Sequence, residues 1–199
     1  MRIQIKFQKI VCLVLLAVCA FAFFTSLGLN TNFYEVLKPF SKEDGEPIVD
    51  GANLFYDIQG FNKQLNSIAV IGVLFAVSLF ITKSDSRRKY FITNYIFSFA
   101  TSIFLIASSV WSMISTGFYR TQFLNSVDWE YMQELIDTRE KYKSFVADKS
   151  TFFLDLNIVA NLLVIIVSLL LISSVVWKIV ETGKEKKLLR PLNSMEANQ

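Results

Sequence analysis

The chain has 199 residues, 53% of them hydrophobic, with a formal net charge of +3, 19 Phe, two Cys and no His. A soluble domain of this size spreads its apolar residues among charges, whereas these gather into four blocks at 10–29, 65–82, 90–117 and 152–177. The missing His and scarce Cys exclude His-ligated haem, zinc sites built on His and Cys, and paired-thiol redox chemistry.

Each block holds at least 18 residues, and ~20 helical residues cover the ~30 Å hydrocarbon core of a bilayer. The expected fold is an all-α integral membrane protein, a single membrane domain over 1–199. Its four transmembrane helices form an antiparallel bundle with two short-to-medium helical extracytoplasmic loops. Charge placement sets the orientation. Arg2, Lys6 and Lys9 precede the first block, Lys83, Arg87, Arg88 and Lys89 accompany Asp85 between the second and third, and Lys178, Lys184, Lys186, Lys187 and Arg190 follow the fourth. Those three short segments hold 12 basic residues, while the two longer loops share 8 basic and 12 acidic ones. The positive-inside bias then places the N- and C-termini in the cytoplasm and both longer loops outside.

In chain order, residues 1–9 read as a cytoplasmic tail and 10–29 as the first span. Cys12 and Cys19 share one face of it, ~10.5 Å apart along the axis, and read as small apolar fillers. The basic start and Ser26-Leu27-Gly28 resemble a signal peptide with its cleavage site. The apolar run exceeds the usual 7–15 residues of such a leader, so the span reads as an uncleaved anchor.

Outer loop 1 covers 30–64. Asn32 and Glu35 have capping-box spacing, which predicts a short interfacial helix carrying Phe33, Val36, Leu37 and Phe40, limited by Pro39. Residues 41–47 form a polar turn. Leu54, Ile58, Phe61 and Leu65 then keep helical rhythm, so the second helix is expected from about residue 53, with its span at 65–82. Ala69, Gly72 and Ala76 fall in one arc of roughly 60° and suit close helix packing. Residues 83–89 make a cytoplasmic turn, so the second and third spans form a hairpin.

The third span, 90–117, carries Asn94, Ser98, Thr101, Ser102, Ser108, Ser109, Ser112, Ser115 and Thr116 within an arc of roughly 140°. Ile96, Phe99, Ile103, Ile106, Val110 and Ile114 occupy the opposite face. A helix built this way turns one side to lipid and the other to protein or water, and it is expected to be the most contacted of the four. Outer loop 2, 118–151, carries an amphipathic helix expected at 126–146, with Tyr131, Leu135, Tyr142 and Phe145 or Val146 on its apolar face. The fourth span, 152–177, repeats the polar theme with Asn157, Asn161 and Ser168 in an arc of roughly 40°. Asp155 lies in its first turn, where the helix dipole favours an acid; the competing role is coupling or ligand binding. Gly183 is expected to stop the helix within the tail 178–199. Lys184, Lys186, Lys187 and Arg190 there suit a weak contact with anionic lipid.

Three readings compete for the polar seam: packing between helices, a hydrated solute path, or docking of another protein's helix. The span interiors offer hydroxyls and amides but no charge, and neither a nucleophile elbow nor a phosphate loop is present. The expectation is therefore a non-enzymatic, cofactor-free protein of the plasma (cell) membrane. It acts as an accessory, scaffold or regulatory subunit of a membrane complex, and the alternative is an oligomeric channel or transporter component lined by the seam. Its expected partners are the bilayer and another membrane protein or a second copy, not nucleic acid.

Overall fold

The computed structural model describes residues 2–84 and 92–196. Among them the regular structure is entirely helical: α1 (Arg2–Val36), α2 (Leu54–Ser84), α3 (Ile92–Asn125), α4 (Trp129–Thr138) and α5 (Phe152–Glu196), with 3-10 turns at Lys38–Phe40 and Glu140–Tyr142. Four of these helices, α1, α2, α3 and α5, are long and apolar enough to cross a membrane.

The helices outrun the spans that hydropathy delimits. α1 does not break at Asn32; it continues to Val36, because Leu29, Phe33, Val36 and Leu37 form one buried stripe. Burial of that stripe overrides the local capping signal. The helix ends where Pro39 enters a 3-10 turn, with the Leu37 amide still donating to the Phe33 carbonyl at 3.1 Å. α3 runs past Gly117 to Asn125, carrying Tyr119 and Phe123 inward. α5 continues through Gly183 to Glu196, so that glycine does not stop the helix. The second helix starts at Leu54, one residue from the expected position. The turn expected at 83–89 lies largely outside the described residues.

The helix expected at 126–146 is shorter and differently faced. α4 begins after Asp128, whose side chain accepts from the Tyr131 amide at 3.0 Å, and stops at Arg139, which is extended. The chain then folds back so that the Tyr142 ring stacks on Phe40 at 5.3 Å. Met132, Leu135 and Ile136 form the buried face, leaving Tyr131 and Val146 exposed. Loop 1 carries no α-helix of its own. Its polar turn is stapled by Asn53, which accepts from the Lys42 amide at 3.0 Å and donates to the Gly45 carbonyl at 3.3 Å.

Cross-links give the directions of the long helices. Ser26 bonds Asn66 and Asn30 bonds Asn62, while Thr25 bonds Asn157 and Gln4 bonds Ser174, so α2 and α5 both run against α1. α1 packs extensively on α2 and α5, and α5 on α3, while α2 and α3 touch less despite being neighbours in sequence. α5 buries the largest share of its apolar span, then α1, with α3 third and α2 least. The most enclosed helix is therefore the fourth span, not the third.

Two cores stack along the bundle axis. The first, at the end carrying both loops, gathers Phe33, Phe40, Val49, Phe55, Phe123, Met132 and Leu135 among others, and is called the cap below. The loops meet where the Asp128 amide donates to the Asp50 carbonyl at 3.0 Å. Beside it Gly51 has φ +78, and a Cβ there would run into the Ser126 carbonyl. Only glycine meets both conditions. The second core lies within the bundle and encloses Cys12, Leu15, Cys19, Ala76, Leu105, Ala160, Val164 and Leu171.

Candidate functional site

Between the two cores lies a layer of hydroxyls and amides contributed by all four long helices. Asn157, fully buried on α5, is its centre. Its Oδ1 accepts from Ser112 at 3.4 Å, from Thr116 at 3.2 Å and from Asn161 Nδ2 at 3.1 Å. Its Nδ2 donates to Thr25 Oγ1 at 3.3 Å. One side chain thus joins α1, α3 and α5. Across the bundle Ser26 donates to Asn66 Oδ1 at 2.6 Å and Asn62 Nδ2 to Asn30 Oδ1 at 3.5 Å, joining α1 to α2.

Helical periodicity explains the convergence. Asn62 and Asn66 on α2, like Asn157 and Asn161 on α5, are four residues apart and share a face. Both pairs lie near the cap end of helices that run away from it. Ser112 and Thr116 repeat the i, i+4 spacing on α3. The layer holds no ionisable group, so its chemistry is neutral hydrogen bonding. It can fix helices relative to one another or hold a small neutral molecule.

The structure places the rest of the seam as follows. Ser98, Thr101, Ser102, Ser109, Ser112 and Thr116 are buried, and Ser168 on α5 is fully buried. Ser108 and Ser115 are half-buried, and the Ser108 hydroxyl returns to the Leu105 carbonyl at 3.1 Å. Ile96, Ile103, Val110 and Ile114 face outward. The side chain of Asn94 lies outside the described residues, as do those of Lys186, Lys187 and Arg190; Lys184 is exposed and 3.6 Å from Glu181. On α2, Ala76 is buried, Ala69 is half-buried, and a Cβ at Gly72 would sit 3.2 Å from the end of Leu105 and 3.9 Å from Cys19 Sγ. The small residues of α2 therefore approach both α3 and α1. Cys12 and Cys19 are buried free thiols.

Asp155 does not join the layer. Its carboxylate sits at the cap end of α5, 2.7 Å from Arg120 Nε and 2.6 Å from the Thr151 hydroxyl, with both members of the ion pair partly exposed. Arg120 is 35 positions away in the chain and was not singled out from sequence. Thr25, Ser26, Asn30, Asn62 and Asn66 were missed too. The repeated Asn-x-x-x-Asn spacing of α2 and α5 is the signal that could have found the α2 pair. Asn62 lies in the stretch of α2 before the apolar block 65–82 and Asn66 at its edge, where polar residues do not stand out against the hydropathy.

Two spaces adjoin these groups. A cavity of about 30 Å³ lies between the helices, lined by Gly72, Leu105, Ser108, Ser112 and Asn161 among others, roomy enough for about one water. A larger crevice of about 760 Å³ opens at the edge of the cap, between the end of α1 and residues 144–148, with Tyr34, Lys38, Phe145, Val146 and Asp148 on its walls. Lys38 is held there by Tyr34, its Nζ 3.2 Å from the phenol oxygen. Among the described residues no group of three His, Cys, Asp or Glu side chains is placed to hold a metal ion. The chain matches no family model, no curated protein and no solved structure.

Proposed function

We propose that this protein is a non-enzymatic four-span protein of the cell membrane, acting as an accessory, scaffold or regulatory subunit of a larger membrane complex. The observation that carries the reading is the cap. A core of large aromatic residues welds both loops into one body on top of the bundle, and a crevice of about 760 Å³ is left at its edge. The exposed Tyr34 and Val146 border that crevice, which suits docking of a partner's side chains. The basic residues flanking the spans support a cap outside the cell and both termini in the cytoplasm. The basic residues Lys184, Lys186, Lys187 and Arg190 would then lie near the anionic inner leaflet.

The alternative, an oligomeric channel or transporter component, draws less support. Ser112 and Thr116 are occupied by Asn157, and the nearby cavity has room for only about one water. Purification from native membranes in gentle detergent, followed by mass spectrometry, tests the subunit reading. A reproducible co-purifying membrane protein, lost when Val146→Asp is introduced, is the expected result. A clean monomer with nothing bound would overturn it. Reporters fused at Gly45 and after Leu192 test the orientation, the first reading outside and the second inside.

A further inference from the structure

The half of the bundle away from the cap carries polar atoms that the protein itself does not satisfy. Gln8 Nε2 on α1, Thr101 Oγ1 and Ser102 Oγ on α3, and Ser168 Oγ on α5 are each buried and make no hydrogen bond. Their residues are 3%, 1%, 0% and 0% exposed. These are not ordinary membrane hydroxyls. Thr25, Thr31, Ser67, Ser78, Thr82, Ser108, Thr121, Ser173 and Ser174 all return their protons to a carbonyl three or four residues back. That option is open to any helical Ser or Thr. Thr101, Ser102 and Ser168 leave it unused and remain inside the bundle.

Helical rise places them together in depth. Measured from the Thr25–Asn157–Thr116 cross-link, Ser168 lies ~16 Å and Ser102 and Thr101 ~21–22 Å further along the axis, with Gln8 at ~25 Å. The Gln4–Ser174 hydrogen bond closes the region below. Leu15, Val164 and Val167, all buried, fall at ~10–15 Å on its cap side, and buried Leu105 lies at ~16 Å, level with Ser168. A buried polar atom without a partner is costly, and more so where lipid replaces water around the bundle. Water can accept from the Gln8 amide and both donate to and accept from the three hydroxyls, and internal waters commonly make about three such bonds.

We propose that this half of the bundle binds internal water, held between α1, α3 and α5 by Gln8, Thr101, Ser102 and Ser168 and stopped by the Leu15–Val164–Val167 layer. The site is distinct from the cap-side layer, where Asn157 bonds Thr25, Ser112, Thr116 and Asn161, although Asn62 Oδ1 there is also buried without a partner. It stands whether or not the protein is a complex subunit. The test uses the full-length chain in lipid bilayers. Proton-detected solid-state NMR should show magnetisation transfer from water to the side-chain amide protons of Gln8. Thermal unfolding then gives a test of sign. If water bridges these groups, Ser102→Ala and Ser168→Ala each strip it of a partner and lower Tm by about 2–4 °C. Ser173→Ala, whose hydroxyl is exposed and bonded to its own helix, leaves Tm unchanged. If the region is dry, each Ala removes an orphaned hydroxyl and Tm rises. Either a missing water signal at Gln8 or a raised Tm in both variants would overturn the assignment.

Discussion

The cap and the bundle are held together by opposite choices of side chain. The enclosed residues of the cap include Phe33, Phe40, Phe55, Phe61, Phe123 and Tyr142, with the Phe33 and Phe123 rings edge to face at 5.1 Å. Those enclosed in the bundle are Val, Leu, Ala and Cys, and its aromatic rings are only partly buried around it. With the bundle in lipid and the cap in water, the contrast has a physical cause. Water drives large apolar rings together in proportion to the area they hide. Lipid offers an apolar side chain an equally good surrounding, so helices associate by close approach, which small residues allow. Between the two, the Asn157 layer adds side-chain hydrogen bonds that join α1, α3 and α5.

This contrast predicts that the cap fails when its residues shrink and the bundle when its residues grow. Phe123→Ala should have the largest effect, about 3–5 kcal/mol, read as a lower Tm and rapid proteolysis within 41–47 and 143–151. Gly51→Ala should cost about 3 kcal/mol through the same cap, because the new Cβ meets the Ser126 carbonyl in a backbone conformation that favours glycine. In the bundle, Ala160→Leu should cost about 2 kcal/mol by forcing α5 away from its neighbours, whereas Phe123→Leu in the cap should cost less than Phe123→Ala. Asn157→Leu should cost about 2 kcal/mol, at roughly 0.6 kcal/mol for each of its three side-chain partners on other helices. A result near zero would mean the layer contributes nothing to helix association. Smallest is Arg120→Ala, below about 1 kcal/mol and weaker still in high salt, since both partners of its ion pair are partly exposed.

Several features were legible in advance for reasons that belong to the residues themselves. Four long apolar blocks can become little other than four helices, and the split of α3 into a hydroxyl face and an Ile face follows from 100° per residue. The start of α2 was legible because Leu54, Ile58, Phe61 and Leu65 keep one rhythm across what hydropathy scores as loop. The capping box at Asn32 misled because a local signal worth about 1 kcal/mol competes with burial of four large side chains. The break at Arg139 was hidden because it is set by Phe40, some 100 positions away, onto which Tyr142 folds. The polarity of the third span points to it as the central helix, yet α5, whose Asn157 bonds both α1 and α3, is the more enclosed.

Sequence alone determined that this chain is helical and built to cross a membrane, since hydropathy and periodicity are properties of consecutive residues. Tertiary structure decided which polar groups find each other. Asn157 meets Thr25, Ser112 and Thr116, and Asn66 meets Ser26, whereas Gln8, Thr101, Ser102 and Ser168 meet no protein partner. A hydrogen bond depends on the relative rotation and depth of two helices to within a fraction of an ångström. No residue carries that information by itself, because it arises only when all four helices pack at once.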